Sequence, residues 1–473
     1  MNNLIFAFSF GALGSLAMAP TSFPLALFIG LSSFYILVVK TETAFKAAMI
    51  GLFFSLGYFG FSLSWIGNAL LVDDNPYWWA WPLAISGLPL ILSFFTAVTC
   101  YVHKIICKNK NDLKTLLSFL FALFIAEYAR GHLFTGFPWN LYGYVWADIH
   151  PIAQLASLHN VYLLTFITIF WAIIPGFVLL AENFRIQLFI AGLAIATLIS
   201  SYFYGKSVIA AYQDSGHSNY EIVLVQPNIK QSEKWKIDKR QSNFLELVKL
   251  SKFTSYKNSV DTSNYYIIWP ETAISQDLLD SPWAIQEISQ MLKSYPSKAN
   301  LITGALRFNR DTNTYYNSII SINSEGTVQH VYNKSHLVPF GEYMPFKSII
   351  DIAPIVGFTG FASGDGLRTL SFENGMSFSP LICYEIIFPG ATLSNDETKA
   401  DVIINVTNDA WYGKSAGPYQ HLVQSRFRAI ETGLPVIRSA NTGISAIINS
   451  LGQIEQKAEL SKKDVIIHKL ALN

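Results

Sequence analysis

The chain of 473 residues has a formal net charge of +1, because 33 Lys and Arg residues oppose 32 Asp and Glu residues. This near balance provides no basic field of the kind that nucleic-acid binding requires, so we exclude that class of function. Only 17 of the 65 charged side chains fall in residues 1–215, which indicates an apolar N-terminal half and a polar C-terminal half.

The N-terminal half contains seven apolar stretches of about 17–25 residues, long enough to cross a hydrocarbon core of roughly 30 Å. They span about residues 3–19, 22–39, 47–71, 78–102, 113–130, 159–181 and 185–204. A signal peptide is not expected at the first stretch, because no Lys or Arg precedes it and a second apolar run follows almost at once. We therefore predict a transmembrane domain of about seven helices over residues 1–210.

The charges of the loops predict the orientation of these helices. With the N-terminus inside, the loops assigned to the cytoplasm hold seven Lys and Arg residues, and those on the other side hold two. This positive-inside bias predicts that residues 219–473 lie outside the cytoplasm, although one helix more or fewer would reverse the assignment. Within the apolar half, Glu127 and Arg130 are spaced to pair on one helix face, as a structural clamp.

Short apolar runs alternate with helical patterns from Glu221 onward. Strands are predicted near 221–226, 265–269, 301–306, 314–322, 326–333, 377–384, 401–406, 435–448 and 464–470, and helices near 238–254, 282–294 and 418–432. Alternation followed by hairpins indicates a layered α/β domain with a mixed sheet. A long segment, 335–367, is rich in Gly, Pro and Phe, and a loop of this length in a compact domain is typical of either a functional lid or a disordered segment.

Three of the predicted strands end in a reactive side chain, namely Glu271, Lys334 and Cys383. Strand ends are where α/β proteins place catalytic groups. A thiol with a pKa near ~8.5 must lose its proton to attack a carbonyl, and a partly buried Glu271 can accept it. Lys334 can stabilise the thiolate and the oxyanion. Taken singly, Glu271 is more simply interpreted as a turn cap, Lys334 as a surface charge and Cys383 as a core thiol. Taken together, the three residues favour nucleophilic acyl transfer.

The residues around these positions resemble the three motif blocks of the nitrilase superfamily, in its order Glu, Lys, Cys. The blocks are Trp269-Pro-Glu-Thr, residues 332–342 and Leu381-Ile-Cys-Tyr-Glu, with Thr407-Asn-Asp-Ala-Trp as a further block after the nucleophile. With the apolar half, including residues 127–139, the chain resembles the apolipoprotein N-acyltransferase family over nearly its whole length. The resemblance implies a membrane helical bundle plus a nitrilase-like α-β-β-α sandwich.

This resemblance implies a two-step reaction at the periplasmic face of the bacterial inner membrane. Cys383 would take an acyl chain from a glycerophospholipid as a thioester. The N-terminal amine of the diacylglyceryl-cysteine of an apolipoprotein would then accept the chain. By motif match, Glu271 is the general base, Lys334 the stabiliser of the oxyanion and Cys383 the nucleophile. No metal or organic cofactor is implied.

Further positions match the family pattern by motif alone. Glu342, Tyr384 and Glu385 match residues needed for activity, and Trp235 matches a tryptophan that lines the lipid site. Apolar side chains on the segment after Lys334 predict a mobile arm that enters the membrane, with Phe358 and Phe361 contacting substrate. The alternative is that these side chains pack beneath the loop.

Two other functions stay open from the residues. A membrane-tethered carbon–nitrogen hydrolase, such as an amidase, would resolve the acyl-enzyme with water instead of an amine. A transporter with a ligand-binding exported domain is disfavoured, because its helices would be expected to carry more central charges. The family pattern also implies an eighth membrane helix after the catalytic domain. At that point the sequence has the strand-like run Val465-Ile-Ile-His followed by five residues.

Overall fold

The computed structural model describes residues 2–72, 75–107, 112–212, 217–252, 264–345, 360–373 and 375–472. The chain forms two compact units. The helical unit comprises Met1–Gly67, Trp79–Tyr212 and Ser415–Glu431. The sheet unit comprises Asn68–Trp78, Gln213–Lys414 and Thr432–Asn473.

A long helix lies in each of the seven apolar stretches of the helical unit. Its helices are α1 (Asn2–Ser15), α2 (Pro24–Val39), α3 (Ala44–Ser62), α4 (Trp81–Ile106), α5 (Asp112–His132), the short α6 (His150–Ala153), α7 (Val161–Leu180) and α8 (Phe184–Ala211). Within the described part of the chain, four segments are long and apolar enough to cross a membrane: α3, α4 with its preceding turn, α7 and α8. The seven crossings stay a prediction.

The third apolar stretch does not form one helix as predicted. Helix α3 ends at Ser62, and residues 64–71 form a 3-10 helix. The carbonyl of Ser62 accepts hydrogen bonds from Trp65 Nε1 and Gln420 Nε2, both at 3.1 Å. These side chains satisfy a carbonyl that the α-helix would otherwise leave unpaired at its end.

The predicted pairing of Glu127 and Arg130 on α5 is confirmed. Two parallel hydrogen bonds of 2.9 and 2.8 Å join the guanidinium to the carboxylate. Both side chains are at most 2% exposed. Arg130 also donates to the carbonyls of Phe137 and Trp139, so the pair fixes the chain that leaves α5.

Two six-stranded sheets form the core of the sheet unit. The strands are β1 (His217–Gln226), β2 (Asn264–Ile274), β3 (Ala299–Asn309), β4 (Thr314–Asn323), β5 (Val328–Asn333), β6 (Leu370–Ser371), β7 (Ser377–Ile382), β8 (Val402–Thr407), β9 (Val436–Ala440), β10 (Ala446–Ile448), β11 (Ile454–Lys457) and β12 (Asp464–Ala471). Their orders are β12-β1-β2-β3-β4-β5 and β11-β10-β9-β8-β7-β6. The neighbours β1-β2-β3 and β7-β8-β9 are parallel, so their carboxyl ends are available for a site.

The sheets pack face to face, and helices cover the outer face of the first. Ile268 and Ile382 lie in the buried layer that the two sheets share. On the outer face, Trp269 packs in a layer with Phe244 and Ile288. The helices on this side are α9 (Gln231–Lys234), α10 (Ile237–Leu250), α11 (Gln276–Leu279) and α12 (Pro282–Lys293).

Residues 435–448 form an antiparallel pair, β9 and β10, where the sequence predicts a single strand. The chain reverses between Ala440 and Ser445, whose hydroxyl accepts a hydrogen bond from Ala440 N at 2.9 Å. The backbone N–H of Ser445 donates to Gln226 Oε1 of the other sheet, also at 2.9 Å. The predicted single strand is therefore two strands, whereas the two sheets of the unit confirm the α-β-β-α sandwich that the family resemblance implied.

Helix α13 (Gly417–Thr432) confirms the helix predicted near 418–432, and by its contacts it lies almost wholly in the helical unit. Gln420 of this helix forms four side-chain hydrogen bonds. Its Oε1 accepts from Trp65 Nε1 at 3.0 Å and from Trp139 Nε1 at 2.8 Å. Its Nε2 donates to the carbonyls of Ala19 and Ser62.

We expect Gln420→Leu to destabilise the protein. The substitution removes the Gln420 acceptor of Trp139 Nε1 and one of the two acceptors of Trp65 Nε1, and the loss of a buried acceptor costs about 1–3 kcal/mol. Gln424→Leu on the same helix is the matched control, because Gln424 is 1% exposed and its amide has no hydrogen-bond partner among the described residues. Thermal unfolding in detergent should show a lower midpoint for the first variant only, and equal midpoints would contradict this role of Gln420.

Candidate active site

An irregular segment of β2 presents Glu271, three residues before the strand ends. The pairing of β2 with β3 shifts between Trp269 and Ile274, and Thr272 adopts a φ of +48°. Gly304 of β3 allows this close approach, because a Cβ there would lie 2.5 Å from the Cα of Glu271. Glu271 is 7% exposed, so this irregular segment of β2 places a carboxyl group in a nearly dry site.

Asn317, in the middle of β4, joins two carboxylates of the site. Its Nδ2 donates to Glu271 Oε1 at 2.6 Å and to Glu342 Oε1 at 3.2 Å. Its carbonyl accepts from the backbone N–H of Lys334 at 2.8 Å. Asn317 is not among the residues predicted from the sequence, because it lies inside a strand and not at its end; an amide in the apolar run of β4 is the signal that could have found it.

Lys334 follows β5 and forms a buried ion pair with Glu342. Its Nζ lies 2.9 Å from Oε1 and 2.8 Å from Oε2 of that carboxylate. The Lys334 side chain is 1% exposed. Burial by itself lowers the pKa of this ammonium, but Glu342 and then Glu271 more than offset the effect, so the pKa lies above its usual value. Lys334 is therefore a fixed positive charge in the site.

Cys383 directly follows β7 and begins a 3-10 helix that spans Cys383–Ile387. Its φ is +50°, a conformation that residues other than glycine adopt at a cost and that is concentrated at functional sites. Burial, and then Glu271, raise the pKa of the thiol to about 12, while Lys334 opposes them. The thiol is therefore protonated at neutral pH and needs a base to become a nucleophile.

The electrostatic properties of Glu271 suit the role of that base. Burial raises the pKa of its carboxyl group above the usual value, and Lys334 opposes the shift. Among the charges that shift the pKa of Cys383 are those of Glu271 and Lys334. The structure thus brings the three residues predicted at strand ends into one electrostatic cluster. A base, a cation and a thiol in this arrangement can carry out nucleophilic acyl chemistry.

Glu385 connects the end of β7, just before Cys383, to the segment that follows β5. Its Oε2 accepts from Ile382 N at 2.8 Å. Its Oε1 accepts from Ser335 N at 2.7 Å, His336 N at 3.1 Å and Tyr332 Oη at 2.8 Å. Glu385 therefore acts by holding the backbone on both sides of the site.

We expect Glu385→Gln to lower the free energy of unfolding by about 1–3 kcal/mol, the cost of leaving a buried donor without its acceptor. The amide keeps the shape of the side chain, but it loses the charge and one of the two acceptor oxygens. Glu397→Gln, at an exposed position, is the control. Chemical denaturation that gave equal stabilities for the two variants would contradict the bracing role of Glu385.

The other predicted site residues differ in how far they are buried. Tyr384 is buried, and its ring centroid lies 5.1 Å from that of Phe388. Trp235 follows α9 and is 36% exposed. The backbone N–H of Phe361 donates to the carbonyl of Glu342 at 2.9 Å. Residues 346–359 of the predicted arm, which include Phe358, lie outside the described residues.

Comparison with known proteins identifies both halves of the chain. The family model described as carbon-nitrogen hydrolase matches residues 222–473. The model described as apolipoprotein N-acyltransferase N-terminal domain matches residues 10–174. The first match agrees with the nitrilase-like fold expected from the motif blocks.

Curated relatives match almost the whole chain. The apolipoprotein N-acyltransferase of Rickettsia bellii is 37% identical over 464 residues, which cover 96% of this chain and 89% of the relative. The protein of the same name from Brucella melitensis is 36% identical over 89% of this chain and 79% of its own length. The one from Rhodopseudomonas palustris is 35% identical over 96% of this chain and 87% of its own length. The chain therefore belongs to the apolipoprotein N-acyltransferase family.

Proposed function

We propose that this protein transfers a fatty acyl chain from a glycerophospholipid, through a thioester on Cys383, to the N-terminal amine of diacylglyceryl-cysteine in apolipoproteins. The observation that carries the proposal is the buried thiol of Cys383 beside a base, Glu271, and a fixed cation, Lys334. Family membership supports the substrate class.

In the proposed first step, Glu271 takes the proton of the Cys383 thiol, and the sulfur attacks the ester carbonyl of the phospholipid. Lys334 stabilises the negative charge that develops on the carbonyl oxygen. The bond between the acyl carbon and the glycerol oxygen then breaks. The leaving oxygen takes the proton from Glu271, which releases a lysophospholipid and leaves the acyl thioester.

In the proposed second step, the amine of the acceptor attacks the thioester carbonyl and passes a proton to Glu271. The carbon–sulfur bond breaks, so an amide forms and the sulfur leaves as a thiolate. Glu271 returns the proton to Cys383 and restores the resting pair. The same base therefore serves both half-reactions, which makes the reaction ping-pong.

Burial of the site favours an amine over water as the acceptor. Cys383 and Glu271 are each 7% exposed, so bulk water has little access to the thioester. Trp235, Phe358 and Phe361 would line the acyl site, and Glu342, Tyr384 and Glu385 would support the catalytic groups. We place residues 1–210 in the bacterial inner membrane and residues 219–473 on its periplasmic side, where both substrates are accessible.

Product analysis tests this proposal against the amidase alternative. The full chain would be incubated with a phospholipid that carries labelled acyl chains and with a diacylglyceryl-cysteine peptide. The proposal predicts that labelled N-acyl peptide and lysophospholipid form in equal amounts. An N-acetylated peptide, which has no amine to accept the chain, should stay unlabelled. Labelled fatty acid without labelled peptide would contradict the proposal and favour hydrolysis.

A further inference from the structure

Lys234, the last residue of α9, is a buried lysine outside the proposed chemistry. It is 8% exposed. Its Nζ donates to the backbone carbonyl of Glu271 at 2.9 Å and to the hydroxyl of Thr272 at 2.6 Å. Both of these acceptors are uncharged, and Nζ also lies over the ring of Trp235, 5.5 Å from its centroid. A lysine is seldom buried without a charged partner, so this position calls for a specific role.

The two groups that Lys234 contacts belong to the irregular segment of β2 that presents the base. Thr272 has a φ of +48°, a conformation that strains a residue other than glycine. Hydrogen bonds from a charged donor are among the stronger ones in proteins, and here they oppose that strain. The ammonium therefore stabilises the backbone conformation from which the Glu271 side chain reaches Asn317.

Other contacts fix the chain on the N-terminal side of Lys234. Asn441 exchanges two hydrogen bonds with the backbone of Ile229, of 2.9 and 2.8 Å. The side chain of Gln231 accepts from Asn408 Nδ2 at 2.8 Å. Because this segment is held in place, Lys234 links it rigidly to the base, and Trp235 follows at the next position.

We propose that Lys234 is a positioning residue: its ammonium holds the main chain of Glu271 so that the base faces Cys383, and it keeps Trp235 at a fixed place beside that base. This inference rests on the proposed acylation of Cys383. It assigns Lys234 no proton transfer and no direct contact with the reacting atoms.

The charge of Lys234 gives the role a measurable signature. Burial lowers its pKa to about 8, while Glu271 and then Cys383 oppose the shift. Arg240 of α10 lines the same small cavity. Burial raises the pKa of Glu271, Lys334 lowers it, Glu342 raises it, and the positive charge of Lys234 lowers it. Without this charge, Glu271 should stay protonated to a higher pH.

The test compares Lys234→Met, Lys234→Gln and Lys234→Arg in the full chain, with Lys236→Met at an exposed position as the control. The readout is the rate of acylation of Cys383 by phospholipid in detergent micelles, measured as a function of pH. We expect Lys234→Met to slow acylation by roughly 10- to 100-fold, the effect of misplacing a catalytic group. Its rate should also rise at a higher pH than that of the parent protein.

The other variants separate position from charge. Lys234→Gln keeps an N–H donor for the Glu271 carbonyl, so it should recover part of the rate while the shift in pH stays. Lys234→Arg keeps the charge, so its profile should rise at the pH of the parent, and Lys236→Met should match the parent throughout.

Three results would overturn the inference. A normal rate and profile for Lys234→Met would remove the role of Lys234 and leave the proposed function intact. If Lys234→Met and Lys234→Gln were slower but kept the pH profile of the parent, Lys234 would be purely structural. Failure of all three Lys234 variants to fold would lead to the same conclusion. Absence of acylation in the parent protein would contradict the proposed function itself.

Discussion

Replacing Cys383 by serine is expected to abolish acylation, with a loss of roughly 10⁴-fold or more, as for other enzymes that lose their nucleophile. The site is adapted to a thiol. A pKa of about 12 already demands a base for Cys383, and a hydroxyl group is a far weaker acid and a weaker nucleophile. The measurement is the rate of lysophospholipid release from phospholipid micelles.

Cys107→Ser is the matched control for this change. Cys107 is partly exposed at the end of α4, in the helical unit, so its replacement should leave the rate near that of the parent protein. Thermal unfolding of both variants should verify that they are folded. Retention of acylation by the Cys383 variant would exclude a thioester at this position.

Replacing Glu271 by glutamine is expected to lower the rate of acylation at neutral pH by about 10²–10⁴-fold, the usual contribution of a general base. In the parent protein the rate should rise with pH as Glu271 ionises and then level off. In the variant the thiol must ionise without that base. Its rate should therefore continue to rise at alkaline pH, where the Cys383 thiol ionises, and the loss of the Glu271 charge should lower the pKa of that thiol relative to the parent protein. Rates measured from acid to alkaline pH distinguish the two profiles.

The stability of the same variant supplies an independent check. The pKa of Glu271 is higher in the folded protein than its usual value, because burial disfavours the charged form. Its contribution to stability is therefore present at low pH and is lost as the pH rises through the folded pKa. The Gln variant should not be less stable than the parent at neutral pH. Glu325→Gln, at an exposed turn, should match the parent in rate. Equal rates for the Glu271 variant and the parent would exclude this base.

The main catalytic candidates were predictable because their signal is local. Glu271, Lys334 and Cys383 each follow an apolar run, and a strand that ends in a reactive group is visible within a few residues. Glu342 and Glu385 were found through the motif blocks. Their partners could not be predicted, since the donors to Glu385 lie up to 53 residues away in the chain.

The residues that the sequence did not reveal act through long-range contacts. Asn317 reaches Glu271 and Glu342 across 46 and 25 residues, from the middle of a strand, so the amide within the apolar run is visible in the sequence but its partners are not. Lys234 lies in a polar run typical of a surface helix, and only the folded chain shows that it is buried.

The types of the secondary-structure elements were predicted better than their boundaries. Periodicity found the long helices and most strands, but it did not show where β9 turns into β10, because both strands are fully buried. Nor did it show that α3 ends at Ser62, since that end depends on Trp65 and on Gln420, which is 358 residues away. Tertiary contacts decide such boundaries.

Mass spectrometry of Cys383 after incubation with a phospholipid of one acyl composition tests the central claim most directly. The account predicts that the peptide containing Cys383 gains the mass of that acyl chain. The adduct should be cleaved by hydroxylamine, as a thioester is, and it should disappear when a diacylglyceryl-cysteine peptide is added and becomes N-acylated. An acyl chain on another residue, or N-acylated peptide formed while Cys383 is never modified, would contradict the account.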